Sequence, residues 1–395
     1  MKYSIIISFS ILVLSAWVQI ERTNTIDDTF TDRLSLEKDE VFGATPDVIV
    51  GVIAAFAVDH QNRVFIADRN QTKVHVFNFH GSYLKSLGRE GQGPGEFAAV
   101  SPTTSMQIQD NLLYITNFAN SWNFFPDRAE VFSLGDLSFS HSIDLLAENI
   151  EEFSDQLKEY YPIRLYPLED EKILVKYRRM PSDYKEEKSD IKYVVQDHSG
   201  IIQGDEVFTQ QDRIQLVYFV RNAEIPYNAI SSFPFFKRSL FALSTEGHFV
   251  SAQTDEFEIH FYNLNGSLIR SFNHSFEKQS LSRRERIKSY ENGRSSLGDG
   301  VAADMIREAD NLPETWPALN DLLVDDENRL WVSTIVEDFE IYEWWVLEET
   351  GEVIAKFEWP RDKPIGEIQN GYAYTLEKEE ETGLQSVVRY LIKMD

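Results

Sequence analysis

The chain has no cysteine, which excludes disulfides, thiolate metal sites, a cysteine nucleophile and a lipid on an N-terminal cysteine. Basic residues are in short supply as well: 38 Lys and Arg face 65 Asp and Glu, for a formal charge of -27. Such a surface repels phosphate backbones and anionic membranes, so nucleic acid is not expected as a partner. It suits a soluble acidic exterior and leaves cations and basic peptides open. The eight histidines are scattered, without an HExxH or a close His-x-His pair. No histidine-built zinc site is expected, whereas a carboxylate-built calcium site stays open. Long apolar runs are missing except at the start, where Ile5 to Val18 is interrupted only by serines. With Lys2 before it and Glu21-Arg22 behind, this run is short for a spanning helix and reads as a secretory signal, residues 1–18, cleaved near Ala16. An uncleaved anchor is the alternative, and it is the only membrane association expected.

What remains is ample for a core: 395 residues, 42% hydrophobic and 13% aromatic. Its organising stretch is Phe56–Phe97. A short apolar strand, the polar turn Asp59–Asn62, the strand Val64–Ala67, a second turn, an alternating strand around Val74 and Val76, the His80-Gly81 turn and a strand Tyr83–Leu87 are closed by GREGQGPGEF. That is one four-stranded antiparallel unit. Its second strand echoes along the chain as VFIAD, LYITN, ILVKY, FVSAQ, LWVST and AYTLE, ending at Asp68, Asn117, Tyr177, Gln253, Thr334 and Glu377 at irregular intervals. The turn before the fourth strand echoes too, at His80-Gly81, Gly135-Asp136, Ser199-Gly200, Asn265-Gly266 and Thr350-Gly351. Units of this size cannot bury both faces alone, so they must pack side by side. A ring of six sheets meets that need: an all-β, six-bladed β-propeller over residues 30–395. The last unit lacks a strand, which Phe30–Gly43 can supply across the ring closure; residues 19–29 read as a linker.

Two stretches break the pattern. Ala147–Tyr160 has helical spacing at Ile150, Phe153 and Leu157. Residues 276–319 hold SLSRRERIKSYENG, opening on a serine cap, and GDGVAADMIREADNL, and predict a helical hairpin inserted between blades four and five. The run Arg283-Arg284-Glu285-Arg286 is its concentrated positive charge, read first as a solvated face pairing with the protein's own carboxylates and otherwise as a dock for an acidic partner or lipid headgroups.

The order strand, Asp-x-x-Asn turn, VFIAD, K-V-x-V-F and GREGQGPGEF resembles the NHL-type repeat, and the chain from about Phe30 to Met394 looks like the exported six-bladed propellers of Bacteroidetes-like bacteria. The segment from Trp316-Pro317-Ala318-Leu319 through Asp325-Asp326-Glu327-Asn328-Arg329-Leu330-Trp331 resembles the helix exit into a blade in the same family. The resemblance implies fold; function it leaves open, because propellers host binding, scaffolding and several enzymatic roles.

For sites, GREGQGPGEF lacks Walker spacing and reads as an interblade turn. In a propeller the b-to-c turns gather at the channel mouth, so Asp68, Asn117, Tyr177, Gln253, Thr334 and Glu377, joined by Arg69, Asn70, Arg178 and Asp255, are the expected ligand-binding set. Asp68 is also read as a turn cap. His248 and His260 flank strands of blade four without a nucleophile elbow. Alternation in Trp344-Trp345 predicts one ring buried and one exposed. The expectation is a non-catalytic propeller, exported to the periplasm, the outer surface or the medium, that binds a protein, a peptide or a polar small molecule and needs no cofactor. The alternative is a metal-dependent hydrolase or lyase similar to lactonase and strictosidine-synthase-like enzymes, with Ca²⁺ in the channel.

Overall fold

Strand b of each unit is a near-continuous apolar run because both its faces are covered: VFIAD and LWVST are buried at every position. The computed structural model describes residues 23–24, 34–118, 125–146, 157, 159–179, 188–203, 208–221, 227–286, 299–309 and 312–394. Among them, six antiparallel sheets follow one another, each with strands a to d in spatial order. Blade one is Ile53–Val58, Val64–Asp68, Lys73–Phe77 and Tyr83–Leu87; blade two is Met106–Gln109, Leu112–Asn117, Arg128–Ser133 and Ser138–Asp144. Blade three is Tyr160–Pro167, Lys172–Arg179, Lys188–Asp197 and Phe208–Ile214; blade four is Ser239–Leu243, Phe249–Gln253, Glu258–Tyr262 and Leu268–His274. Blade five is Leu319–Val324, Leu330–Thr334, Ile341–Leu347 and Val353–Pro360. Blade six takes Ile365–Gln369, Tyr372–Lys378 and Gln385–Met394 from the C-terminal end and Leu34–Phe42 from the N-terminal end, paired antiparallel from Leu34↔Met394 to Phe42↔Val387. The predicted closing strand is thus in place, and it covers an edge that would otherwise be open. Thr23–Asn24, within the expected linker, adds a short parallel pairing to the outer strand of blade four.

The core lies between blades. Separate apolar clusters join blades one and two, two and three, three and four, four and five, five and six, and six and one; the last holds Phe42, Val58, Val64, Tyr374 and Val387. This explains a departure from simple alternation. Trp344 and Trp345 are both buried, because one face of the blade-five strand meets blade six and the other meets blade four.

Turn chemistry fixes the register. Asp59 Oδ1 accepts N–H bonds from Gln61 and Arg63 while Arg63 Nε reaches Oδ2 at 2.7 Å; Asp325 repeats the arrangement with Glu327, Arg329 and Arg329 Nε. Asn62 and Asn328 take the left-handed conformation that each turn needs. At the c-to-d turns Gly81, Gly200, Gly266 and Gly351 have positive φ as expected, whereas in blade two Leu137, not Gly135, does so.

Of the predicted insertion, Ser282 and Glu285 form a reciprocal capping box that starts a helical turn at residues 283–286, and α1 (Asp299–Glu308) follows. Residues 287–298, which would complete the hairpin, lie outside the described residues, as does most of the helix expected at 147–160. A feature not anticipated from the sequence is the hairpin Leu216–Val220 with Tyr227–Ser231, between blades three and four. It packs with α1, through Ala302, Met305 and Ile306, and with Phe235, Phe236 and Trp316 in one apolar cluster beside the ring.

Candidate functional site: the central channel

The first strands of all six blades surround an axial cavity of about 600 Å³, lined by residues 56–60, 106–111, 164, 166, 241–243, 321–324 and 365–369. Such a volume suits a small ligand. Its wall is mixed: Phe56, Tyr166 and Phe241 supply rings, Gln107, Gln109, Asn111 and Gln369 supply amides, and Arg164, Asp321 and Glu367 supply charge from the strands, with Asp59 and Asp110 at a-to-b turns.

The three charged groups sit within otherwise apolar first strands and differ in their environment. Arg164 is exposed to the channel, lies over the Tyr166 ring at 5.3 Å, and has no carboxylate partner among the described residues. Behind it across the strand pair, Lys176 is pushed down to about 7 by burial, against the pull of Asp212. Asp321 accepts the Leu322 N–H at 2.9 Å; burial raises its carboxyl, while Arg238 and Arg164 work against that rise. Glu367 accepts the Val58 N–H at 3.0 Å, and burial pushes its carboxyl up to about 8, with Asp59 adding to the effect.

None of the ten positions expected from the sequence lines this cavity. Asp68 is fully buried: burial alone would raise its carboxyl, yet the His75 ring and the N–H groups of Gly51, Asn70 and Gln71 hold it at about 2. Asn117 accepts from Ala98 N–H and donates to Glu96 O and to Glu130 Oε1. Tyr177 OH donates to Leu145 O at 3.0 Å. These three tie the b-to-c end of a blade to the segment entering that blade. Gln253 donates to Gln211 O, Thr334 to Glu343 O, and Glu377 accepts from Tyr390 OH at 2.6 Å. Arg178 is clamped to Asp212, which Arg213 also meets. Arg69 and Asn70 are exposed at the rim of blade one. Asp255 pairs with Lys237 and borders a smaller cleft of about 240 Å³, with Phe235, Phe236, Lys278 and Trp316, under the inserted segments. The positions expected from the sequence stand at the ends of the second strands, whereas the cavity is lined by the first strands and the a-to-b turns. The available signal was a charge embedded in an apolar first strand: Arg164 between Ile163 and Leu165, Glu367 between Ile365 and Ile368, and Asp321 ahead of Leu322 and Leu323.

The glycine loop behaves as an interblade turn. Glu96 accepts from Gly93 N–H and from Arg89, and Gly95 N–H donates to the buried Glu130, which Ser142 and Arg128 also reach. Of the two histidines flanking strands of blade four, His260 stands beside Glu258. The other, His248, forms with Glu246 and Glu349 the group among the described residues spaced to hold a metal ion; it lies outside the channel, and Glu349 is ion-paired to Arg270.

A family model described as a 6-bladed beta-propeller matches residues 47–259, more than half of the chain. Two solved structures are similar to the chain. One is a protein assigned to export in Bacteroides fragilis NCTC 9343, with 14% identity and a TM-score of 0.51 over 95% of this chain and 98% of that one. The other is a member of the duf4221 family from Bacteroides vulgatus, with 10% identity and a TM-score of 0.49 over 92% and 99%. At 14% identity the first likeness concerns the fold alone. No curated protein matches the chain. Among the described residues no helix is long and apolar enough to cross a membrane.

Proposed function

The chain belongs to this six-bladed β-propeller family, and on that premise we propose that it is an exported binding propeller that holds a polar small molecule or short peptide in its central channel, without catalysis. The observation that carries this reading is the cavity of about 600 Å³ in which five charged side chains and four amides line one axial space together with the Phe56, Tyr166 and Phe241 rings. The ten b-to-c positions then form the frame: most of their polar atoms hold turns, while Arg69, Asn70 and Asp255 remain near enough to the surface to contact a partner. Export follows from the apolar run Ile5–Val18 and is tested by mass spectrometry of the mature N-terminus, expected near Trp17. Channel binding is tested by titrating a set of polar solutes and short peptides against the wild type and a Gln107→Trp variant that fills the channel. Loss of binding in the variant supports the reading; ligands that bind both proteins equally refute it.

A second reading, a hydrolase or lyase with a divalent cation in the channel, draws support from Glu367. A carboxyl that keeps its proton near neutral pH is a candidate general acid. Calcium-dependent lactone hydrolysis that is lost in Glu367→Gln, with folding intact, would favour it over simple binding.

A further inference from the structure

Glu367 and Arg164 stand on opposite walls, because blades six and three face one another across a six-bladed ring. They also differ in depth. Arg164 pairs with Lys176, one residue short of the register mark Tyr177, whereas Glu367 pairs with Tyr374, three short of Glu377. Two residues of strand place Glu367 about 7 Å farther along the channel towards the a-to-b turns. The two charges are therefore offset both across and along the cavity.

Each lacks what its neighbours have. Asp59, next to Glu367, is taken up by Arg63; Asp212 is taken up by Arg178 and Arg213; Asp321 has the field of Arg238 and, more weakly, of Arg164. Among the described residues Glu367 has one backbone N–H and no cation, and Arg164 has an aromatic ring and no carboxylate within ion-pair distance. A buried carboxyl without a cation keeps its proton until a cation is brought to it, and the Arg164 guanidinium faces the channel with its charge unanswered. A lone anion would satisfy Arg164 and worsen Glu367; a lone cation would do the reverse.

We propose that the channel takes a dipolar ligand of short-peptide length, its ammonium set against Glu367 on blade six and its carboxylate against Arg164 on blade three. This rests on the channel being the ligand site. The offset favours a molecule longer than a single amino acid, and the volume accommodates a few residues. A planar guanidinium suits carboxylate recognition, and the rings and amides between the two ends accept backbone and small side chains without demanding a sequence.

The test is calorimetric titration of the full chain with trialanine, N-acetyl-trialanine and trialanine amide. Trialanine is expected to bind, and blocking either end to weaken binding at least tenfold. In Arg164→Met the amide should bind as well as the free acid; in Glu367→Gln the acetylated form should bind as well as the free amine. Blocked peptides binding the wild type within twofold of trialanine would overturn the proposal, and so would no binding of trialanine at all. If trialanine fails while another solute binds the wild type and not Gln107→Trp, the dipolar assignment falls and the channel reading stands. Unchanged trialanine binding in Gln107→Trp would place the peptide elsewhere and defeat both.

Discussion

Replacing Glu367 by Gln should stabilise the protein in alkaline solution and leave it nearly unchanged in mild acid. The folded carboxyl is raised from 4.5 to about 8, chiefly by burial and secondarily by Asp59, with the Val58 N–H opposing. For an acid held above its unfolded value, the favourable state is the protonated one. Stability is therefore fully present below about pH 4.5, falls as pH rises through the window up to about 8, and is flat beyond it. At about 1.4 kcal/mol per pH unit the loss has an upper bound of about 5 kcal/mol. Glu367 is only partly shielded, since it faces the water-accessible cavity, so about 2–4 kcal/mol is the working expectation. The other charges facing this part of the channel are Asp59, locked to Arg63, and the exposed His60 and Asp110 at the rim. All are retained in the variant and cancel in the comparison. Urea unfolding of both proteins at pH 5 and pH 8.5 measures the effect as a difference of differences. A gap between variant and wild type that is the same at both pH values would show that Glu367 is ordinarily solvated and would remove the physical basis given for its role in the channel.

Asp325→Ala should cost about 3–5 kcal/mol in urea unfolding, because it strands the buried Trp331 indole N–H, Arg329 Nε and two turn amides at once, leaving Arg329 only Glu327; a cost below about 1 kcal/mol would deny the turn its role. Phe42→Ala, which opens the cluster joining blade six to blade one, should cost about 3–5 kcal/mol and lower the melting temperature, and a neutral result would mean that the N-terminal strand does not close the ring. Gly95→Ala should destabilise more than Gly371→Ala. Both glycines have positive φ, but a Cβ at Gly95 would stand 2.8 Å from the Phe139 ring, whereas nothing lies within 4 Å at Gly371. Equal effects would show that the glycine loop is not constrained by packing against blade two.

The ring was legible because its grammar is local. Asp-x-x-Asn-Arg turns, glycines before the fourth strand and apolar runs such as VFIAD and LWVST each have a short-range physical cause, and six echoes of one unit admit few closed arrangements. Even the closure, with the N-terminal strand pairing with Gln385–Met394, follows from counting strands. What the pattern did not carry was packing outside the repeat. The hairpin Leu216–Val220 with Tyr227–Ser231 has strand-forming residues but no echo elsewhere in the chain, and it is held by α1 and Trp316 instead of by a blade. Trp344-Trp345 misled for a related reason: alternation tells which face a side chain takes, but in a propeller both faces of a blade are interior.

The lining of the axial cavity was less legible, and the cause is again periodicity. The most regular marks in the sequence are the ends of the second strands, and regularity at Asp68, Asn117 and Tyr177 reflects a repeated mechanical task, tying each blade to the segment that enters it. Their hydrogen-bonding groups are taken up by that task. Residues that face an axial ligand have no such repeated duty, so nothing forces them to match from blade to blade. At the level of Glu367 the six first strands carry Ala57, Gln107, Tyr166, Ala242, Leu323 and Glu367, a ring without two acids or two bases. The asymmetry is itself informative. A sixfold scaffold that needed only to be stable would be free to repeat small apolar residues around its axis. A charge within an apolar first strand costs desolvation that the scaffold does not require. Arg164, Asp321 and Glu367 are the places where the ring departs from its own repeat at an energetic cost, and a ligand that restores their pairing accounts for that cost where the fold alone does not.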